Sequence, residues 1–454
     1  EDISMPMVGE DCYLLSDQMM DNVVNRGLGS SGATTIAPGR LVLNDSVSVH
    51  MKVDDLLRTH FGVFGFTGAG KSNLVSTLIH DLLNCRSPVK IVLFDLMAEY
   101  IPLLVDVLID IENAYVLSVD VDSISGGEST LRYYREGASP QNAADSILRT
   151  MLLPTELLRI RSSLKSSIVE LLQKNSFKVL DRGDEPPEGG EVKERLSSCV
   201  QGNLGNAKLH ITKWIELKTD DDQLSLDQLK KMIAELRTYR ANMPAFASIA
   251  EPGRASEGLG AWVVDGQRQP SRPTGQPVSL SSTAINVISD MARELQRIID
   301  EHSEEGRAPE QMRMTFNEVL ALIRDDSTGP SLFIVQCDRD DELRLFSSRL
   351  VMSVFNQRKR AGINNPPVLF MYDEADEFIP REARDSYAAS RGAAATLARR
   401  GRKFGMGMGI ATQRVAYLDT NILAQPHTYF VSKLPRKYDR NTMAEAFGLT
   451  EDMM

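Results

Sequence analysis

Residues 65–72 read Gly65-Phe66-Thr67-Gly68-Ala69-Gly70-Lys71-Ser72, which is the pattern G-x-x-x-x-G-K-S of a phosphate-binding loop. This spacing lets the backbone bend tightly around a phosphate group and point several N–H groups at it. Lys71 adds a positive charge, and the Ser72 hydroxyl is a ligand for Mg²⁺. The sequence therefore predicts a site for ATP and Mg²⁺. We expect the binding residues to be Gly65, Thr67, Gly68, Ala69, Gly70, Lys71, Ser72 and Asn73.

The sequence on either side of the loop predicts a strand, a loop and a helix in that order. Residues 61–64 form a short apolar run, and residues 73–79 repeat apolar residues at helical spacing. A phosphate loop needs this order, because the helix N-terminus then points its N–H groups at the bound anion. An ordinary glycine turn is the alternative, and the flanking pattern favours the phosphate loop.

An acidic pair follows a second apolar run at residues 367–372. Asp373 is expected to hold the metal ion, directly or through water, and Glu374 to polarise the attacking water. A solvated strand end is the alternative reading. The presence of the phosphate loop favours the functional one.

A basic cluster precedes a third apolar run that ends in Thr412 and Gln413. Gln413 is expected at the carboxyl edge of a sheet, where open α/β folds bind ligands, and it could sense the terminal phosphate. Arg399, Arg400 and Arg402 are candidates for an arginine finger. A solvated helix face is the alternative for this cluster.

Four motifs together resemble the HerA family of hexameric DNA-translocating ATPases, relatives of FtsK and of the conjugation motors. The phosphate loop is preceded by His60 and followed by Asn73, and residues 94–100 resemble the family element D-x-x-G-E-Y. Residues 372–376 resemble D-E-A-H, and residues 401–414 resemble G-R-K-y-G followed by A-T-Q-R. The chain departs from these patterns at Ala98, where glycine is usual, and at Asp376, where histidine is common.

The resemblance implies a RecA-like α/β core of the ASCE P-loop type. It also implies that Asp95 and Glu99 lie close to the nucleotide, with Glu99 among the catalytic residues. Family members form six-membered rings with ATP at the subunit boundaries, each site completed by an arginine of the neighbour. Arg402 is the first candidate for that arginine, followed by Arg399 and Arg400.

The spacing of the motifs predicts an interrupted core. The resemblance implies that residues 1–55, which read as short β elements, are the end of an N-terminal β-rich, barrel-like region, mostly outside this segment. We expect residues 56–130 to be the first part of the ATPase core. The helical periodicity of residues 131–325 predicts a large, mostly helical insertion, with an acidic loop at 184–190 and a linker at 252–277. Residues 326–454 complete the core and begin a C-terminal extension.

Composition limits the class of protein and its compartment. The 454 residues suffice for two or three domains. The sequence has none of the runs of about 18 apolar residues that span a membrane, which predicts no membrane segment. Cys12, Cys85, Cys199 and Cys337 are too few and too scattered for a zinc knuckle or a disulfide scaffold, which favours the cytoplasm.

Charge gives no direct sign of nucleic-acid binding, because the net charge is −11. A ring can nevertheless grip DNA with a few residues that face its channel. Arg381, Arg384 and Arg391 are candidates for this role, and surface solubility is the alternative.

The motifs thus predict an ATPase, and the resemblance implies that it moves along duplex DNA as a homohexamer. By the resemblance, a nuclease or a sirtuin-like effector is the expected protein partner, in anti-phage defence or in DNA end processing. Two alternatives remain open: a conjugation or secretion motor, and a ring that ATP stabilises and that organises an effector without translocating.

Overall fold

The protein is described by a computed structural model that covers residues 15–28, 34–85, 88–151, 159–181, 189–202, 207–221, 223–241, 282–302, 307–382 and 387–447, with a few single residues and two short strands between these ranges. Most of the predicted acidic loop and linker, together with Cys12 and Arg384, lie outside the described residues. None of the helices in the described part of the chain is long and apolar enough to cross a membrane.

The strands of the described residues form one large sheet and two small ones. In chain order they are β1 (Thr35–Leu41), β2 (Asn44–Lys52), β3 (Phe61–Phe64), β4 (Lys90–Phe94), β5 (Asn113–Ser118), β6 (Phe177–Asp181), β7 (Val263–Val264), β8 (Gln267–Arg268), β9 (Arg313–Thr315), β10 (Ser331–Gln336), β11 (Val368–Tyr372), β12 (Met406–Thr412) and β13 (Thr428–Val431).

Apart from the first and the last, which lie before the first strand and after the last strand, the helices of the described residues lie between these strands, singly or in runs of up to three. They are α1 (Asp17–Val24), α2 (Val53–Arg58), α3 (Lys71–Asn84), α4 (Tyr100–Leu103), α5 (Val105–Asp110), α6 (Gly127–Glu136), α7 (Pro140–Thr150), α8 (Arg161–Gln173), α9 (Gly189–Ser198), α10 (Ala207–Lys218), α11 (Leu226–Ala241), α12 (Ser282–Glu301), α13 (Phe316–Arg324), α14 (Asp340–Ala361), α15 (Ala388–Arg400), α16 (Thr420–Leu423) and α17 (Lys437–Phe447).

The large sheet contains nine of the described strands in the order β13-β3-β12-β11-β4-β10-β5-β6-β9. Every neighbouring pair in it runs parallel. Strands β3, β4, β11 and β12 are buried along their whole length. Such near-continuous apolar strands are typical of a parallel sheet that is covered on both faces.

Two hydrophobic clusters cover the two faces of the sheet. Ile91 and Leu93 of β4 pack into one cluster with helices α2 to α8. Val92 and Phe94 of the same strand pack into the other cluster with helices α13 to α17. The alternation follows from the period of two along a strand, and it places α3 and α14 on opposite faces.

Strand β12 lies between the phosphate-loop strand β3 and the acidic strand β11. With β13 outside β3 and β4 outside β11, this is the strand order of a RecA-like ASCE core. The predicted fold class is therefore confirmed.

Helices α9 to α12 pack around a hydrophobic cluster of their own, which includes Trp214, Leu236 and Met291. We call these helices the helical lobe. The predicted insertion at 131–325 also contains β6 and β9, which pair with each other at one edge of the large sheet. The domain boundaries stay a prediction, but the sheet itself continues through this part of the chain.

Before the core, β1 and β2 pair as an antiparallel hairpin. Helix α1 lies against β2, since the Asn25 amide that follows α1 donates to the carbonyl of Ser48. The barrel that the resemblance implies stays a prediction.

Candidate nucleotide-binding site

Four parallel strands end at the same edge of the sheet and bring the predicted motifs together there. Gly65 follows β3, Asp95 follows β4, Asp373 follows β11 and Gln413 follows β12. The carboxyl ends of parallel strands form the crevice in which open α/β folds bind their ligands. The site therefore arises from topology as much as from any single motif.

The phosphate loop has the backbone that its glycines predict. Gly68 and Gly70 have φ angles of 81° and 85°, in the left-handed region that residues with a Cβ atom rarely adopt. A Cβ atom on Gly65 would lie 3.0 Å from the Cβ of Ser432. Helix α3 begins at Lys71, and within the described part of the chain no side chain caps its first turn, so its N-terminal N–H groups are available to an anion. Asn73 is exposed in this turn.

Lys71 is held by the acidic pair. Its Nζ lies 2.8 Å from Oε1 of Glu374 and 3.6 Å from Oδ1 of Asp373. The Gln413 side-chain amide donates to the same Glu374 oxygen at 2.7 Å, and its carbonyl accepts from the Thr67 hydroxyl. Gln413 thus links the phosphate loop to Glu374, and its role as a sensor of the terminal phosphate stays a prediction.

The Ser72 hydroxyl donates to Oε2 of Glu99 at 3.0 Å. A serine hydroxyl has one proton to donate and two lone pairs to offer. Because the proton is committed to Glu99, the lone pairs of the hydroxyl oxygen are the part of Ser72 that could bind a metal ion. Glu99 therefore orients the predicted metal ligand.

The second predicted metal ligand, Asp373, is 2% exposed, and its Oδ1 atom has no hydrogen-bond partner among the residues that the structure describes. Burial raises the pKa of Asp373 to about 7, against the opposing attraction of Lys71. A divalent cation at this oxygen would compensate for the lost hydration. Ser72 and Asp373 therefore fit a Mg²⁺ ion.

Asp95 accepts three hydrogen bonds, from the backbone N–H groups of Glu99 and Tyr100, both at 3.1 Å, and from the Gln336 amide at 2.9 Å. Burial raises its pKa to about 6, although these hydrogen bonds favour the charged form. Asp95 thus shapes the turn that carries Glu99. Sequence analysis missed Gln336, for which the available signal was a polar residue at the end of the apolar strand β10.

His60 lies outside the site and joins three elements of the core. Its Nδ1 accepts from the Met408 N–H of β12 at 2.9 Å. Its Nε2 must then carry the ring proton, which it donates to the Ala398 carbonyl of α15 at 3.0 Å. His60 fixes β3 against β12 and α15 instead of contacting the nucleotide.

The three candidate arginines lie at the opposite edge of the sheet. Arg399 and Arg400 end α15, and Arg402 precedes β12, so all three come before the strand that Gln413 follows. The seven residues of β12 separate the two edges by roughly 20 Å. The arginines are exposed and do not reach the phosphate loop of their own chain.

The candidate channel residues have different partners. Arg391 pairs with Asp419, to which its Nε donates at 2.6 Å. The Arg381 guanidinium donates to the Tyr438 hydroxyl at 3.1 Å. Arg391 is therefore committed to an internal ion pair.

This combination of loop, helix N-terminus, acidic pair and polar strand end defines a P-loop ATPase with a RecA-like core. Residues 36–188 match the protein family described as "Helicase HerA, central domain". The resemblance to HerA proteins that the motifs predict is therefore confirmed.

Similar proteins cover nearly the whole chain. The DNA double-strand break repair helicase HerA of Pyrococcus furiosus is 22% identical over 98% of this chain and 68% of its own length. A probable helicase of Methanocaldococcus jannaschii is 21% identical over 98% of this chain and 69% of its own length.

Among solved structures, VirB4 of Thermoanaerobacter pseudethanolicus aligns with 93% of this chain and 90% of its own, at 12% identity and a TM-score of 0.42. At that TM-score the likeness adds nothing to the fold assignment, which rests on the sheet itself.

Proposed function

We propose that this chain hydrolyses ATP and couples the hydrolysis to movement along duplex DNA. The observation that supports hydrolysis most strongly is the convergence of Lys71, Ser72, Asp373 and Glu374 at one edge of the sheet, beside the N-terminus of α3. The likeness to HerA helicases supports DNA as the substrate of the movement.

The contacts of Lys71 suggest how the site responds to a nucleotide. The ammonium of Lys71 pairs with Glu374 and lies close to Asp373. Phosphate groups at the N-terminus of α3 compete for this ammonium. Once Lys71 has moved to the phosphates, Glu374 is free to polarise the attacking water. The Gln413 amide keeps the Glu374 carboxylate in place. When bound, Mg²⁺ neutralises charge on the phosphates, and Ser72 and Asp373 would hold it.

The arginines support a shared site in a ring. An exposed cation at the edge opposite the phosphate loop is suited to reach the nucleotide of a neighbouring copy, and it cannot serve its own. We propose Arg402 for this role, with Arg399 and Arg400 as the next candidates, and a homohexamer as the assembly. A nuclease or a sirtuin-like effector as partner, a role in defence or end processing, and the cytoplasm as location also stay proposals.

The experiment that tests this function is steady-state ATP hydrolysis by the full chain, with and without linear duplex DNA. We expect Mg²⁺-dependent hydrolysis that duplex DNA stimulates. The Glu374→Gln variant should lose about 10²-fold or more of the rate, because the water is no longer polarised. Glu310→Gln makes the same chemical change at an exposed position and should hydrolyse ATP like the wild type.

The outcomes separate the alternatives. Hydrolysis that duplex DNA does not stimulate contradicts the translocase and favours a scaffold ring or a protein-handling motor. A wild-type rate in the Glu374→Gln variant contradicts the assignment of the site.

A further inference from the structure

Gln336 is a buried polar side chain at the carboxyl end of β10, and it is 4% exposed. Both ends of its amide group are used. The Nε2 group donates to Oδ2 of Asp95 at 2.9 Å, and Oε1 accepts from the Ser125 hydroxyl at 3.0 Å. These two bonds fix the orientation of the amide, since a flipped amide would face Asp95 with its oxygen.

Asp95 passes this constraint to the next turn of the chain. Its two oxygens accept the N–H groups of Glu99 and Tyr100, each at 3.1 Å. These bonds close a turn in which Ala98 has a φ of 54°, a conformation that the surrounding contacts must hold in place. The Glu99 carboxylate leaves this turn and accepts the proton of Ser72.

We propose that Gln336 is a positioning residue for the metal ligand Ser72, acting through Asp95 and Glu99. The inference rests on the proposed role of Ser72 as a ligand of Mg²⁺. Among the described residues, Gln336 makes no hydrogen bond to the phosphate loop or to the acidic pair. Its effect is to keep the Glu99 carboxylate where it orients the Ser72 hydroxyl.

Removing the Gln336 amide takes away one of the three hydrogen bonds that Asp95 accepts. Asp95 is buried and lies near Glu99 and Asp373, whose charges disfavour its own. A buried carboxylate that loses a donor is left with uncompensated charge, and the turn that it closes is less firmly held. The Ser72 hydroxyl then loses its fixed direction, while the backbone of the phosphate loop is untouched.

The test uses Gln336→Met, which keeps the length of the side chain and removes the amide. Binding of a fluorescent ATP analogue is titrated with Mg²⁺ in the full chain that also carries Glu374→Gln, so that hydrolysis does not interfere. We expect the half-saturating Mg²⁺ concentration to rise about 10-fold or more, as for other residues that orient metal ligands. Binding of the analogue without Mg²⁺ should stay unchanged.

Ser331→Ala is the matched control. Ser331 is a buried polar residue at the other end of the same strand, where its hydroxyl accepts from Lys90. This variant perturbs β10 without changing the contacts of Asp95. Its Mg²⁺ titration should match that of the chain that carries Glu374→Gln alone. Gln336→Glu has the size of the native side chain but faces Asp95 with an acceptor, and it should be at least as defective as Gln336→Met.

The inference is overturned if Gln336→Met or Gln336→Glu gives the same Mg²⁺ titration as the chain that carries Glu374→Gln alone. This holds even if the variant melts at a lower temperature. Failure of the proposed function is a separate result. It would appear as a wild-type chain that does not hydrolyse ATP, whereas the Mg²⁺ titration requires only binding.

Discussion

Two residues of the site hold a backbone conformation that their side chains disfavour. Glu374 and Ala98 have φ angles of 46° and 54°, in the left-handed region. Such conformations cost about 1–3 kcal/mol and cluster at functional sites. Glu374 carries the carboxylate that polarises water in our proposal, and Ala98 precedes Glu99. The strain therefore falls on Glu374 itself and on the residue directly before Glu99.

Ala98→Gly should keep or raise the stability of the protein. A left-handed conformation costs a residue with a Cβ about 1–2 kcal/mol, and the greater freedom of unfolded glycine offsets about 0.5–1 kcal/mol of that. We expect a gain in the free energy of unfolding of up to about 1 kcal/mol, measured by chemical denaturation. Ala395→Gly, within the helix α15, should lower it by about 1 kcal/mol. An equal loss of unfolding free energy in the two variants would contradict the left-handed conformation of Ala98.

His60 should make the protein less stable in mild acid. Burial lowers the pKa of His60 from 6.5 to about 4, so the unfolded chain binds a proton in this range that the folded chain does not. The His60 contribution is complete above pH 6.5 and is lost as the pH falls toward 4, by up to about 3 kcal/mol.

The measurement is the denaturation midpoint between pH 4 and 8 for the wild type and for His60→Gln, which cannot titrate at this position. The difference between the two curves isolates His60 from the carboxylates that also titrate. Parallel curves would show that His60 is not held neutral in the folded protein.

Buried ion pairs join the helical lobe to the core. Arg195 of α9 is 2% exposed and lies 2.6 Å from Glu294 of α12 and 3.1 Å from Glu342 of α14. Arg339 pairs with the same two carboxylates. Glu342 also accepts from the thiol of Cys337, the residue that follows Gln336. The lobe is therefore connected to the strand that ends beside Asp95.

Arg195→Met should destabilise the lobe by about 3–5 kcal/mol, because it removes the buried cation between Glu294 and Glu342 and leaves part of their charge uncompensated. Trp214 is buried in the lobe and reports on its unfolding. The background variant Trp262→Phe makes Trp214 the sole tryptophan, since the chain contains two. Urea denaturation, monitored by the fluorescence of Trp214, measures the change in the free energy of unfolding of the lobe.

Arg293→Met is the control for this measurement. Arg293 pairs with Asp290 on the surface of α12, and its side chain is 78% exposed. Its loss should change stability by less than about 1 kcal/mol. Similar shifts in the two arginine variants would contradict a buried junction between lobe and core.

The shared-site proposal predicts that two inactive variants restore each other. Arg402→Ala should lose about 10³-fold or more of the ATPase rate, as loss of an arginine finger does, and Lys71→Ala should be inactive through loss of the phosphate contact. Random mixing in a ring leaves roughly a quarter of the boundaries with both residues intact. We expect ATPase activity to reappear when the purified variants are mixed.

Lys403→Ala removes the neighbouring exposed cation and should hydrolyse ATP like the wild type. A mixture of Arg402→Ala and Lys71→Ala that stays inactive, under conditions in which the subunits exchange, would contradict a site completed by Arg402 of the adjacent copy.

Much of the core was predictable, because its chemistry is carried by short contiguous motifs. Residues 65–72 and 373–374 follow an apolar strand and residues 412–413 end one, and parallel strands place their carboxyl ends together. Gln336 and Asp95 are 241 positions apart, and no local pattern links them. Strands β6 and β9 escaped notice for the same reason, since they are short and join the sheet through distant partners. The role of His60 likewise depends on contacts with residues more than 330 positions away.

Separate measurements of ATP binding and ATP hydrolysis in Glu374→Gln and Lys71→Ala test the central assignment most directly. We predict that Glu374→Gln binds Mg²⁺-ATP with nearly wild-type affinity and loses about 10²-fold or more of the hydrolysis rate. Lys71→Ala should bind ATP much more weakly. Wild-type hydrolysis by either variant would contradict the claim that this edge of the sheet is the ATPase site.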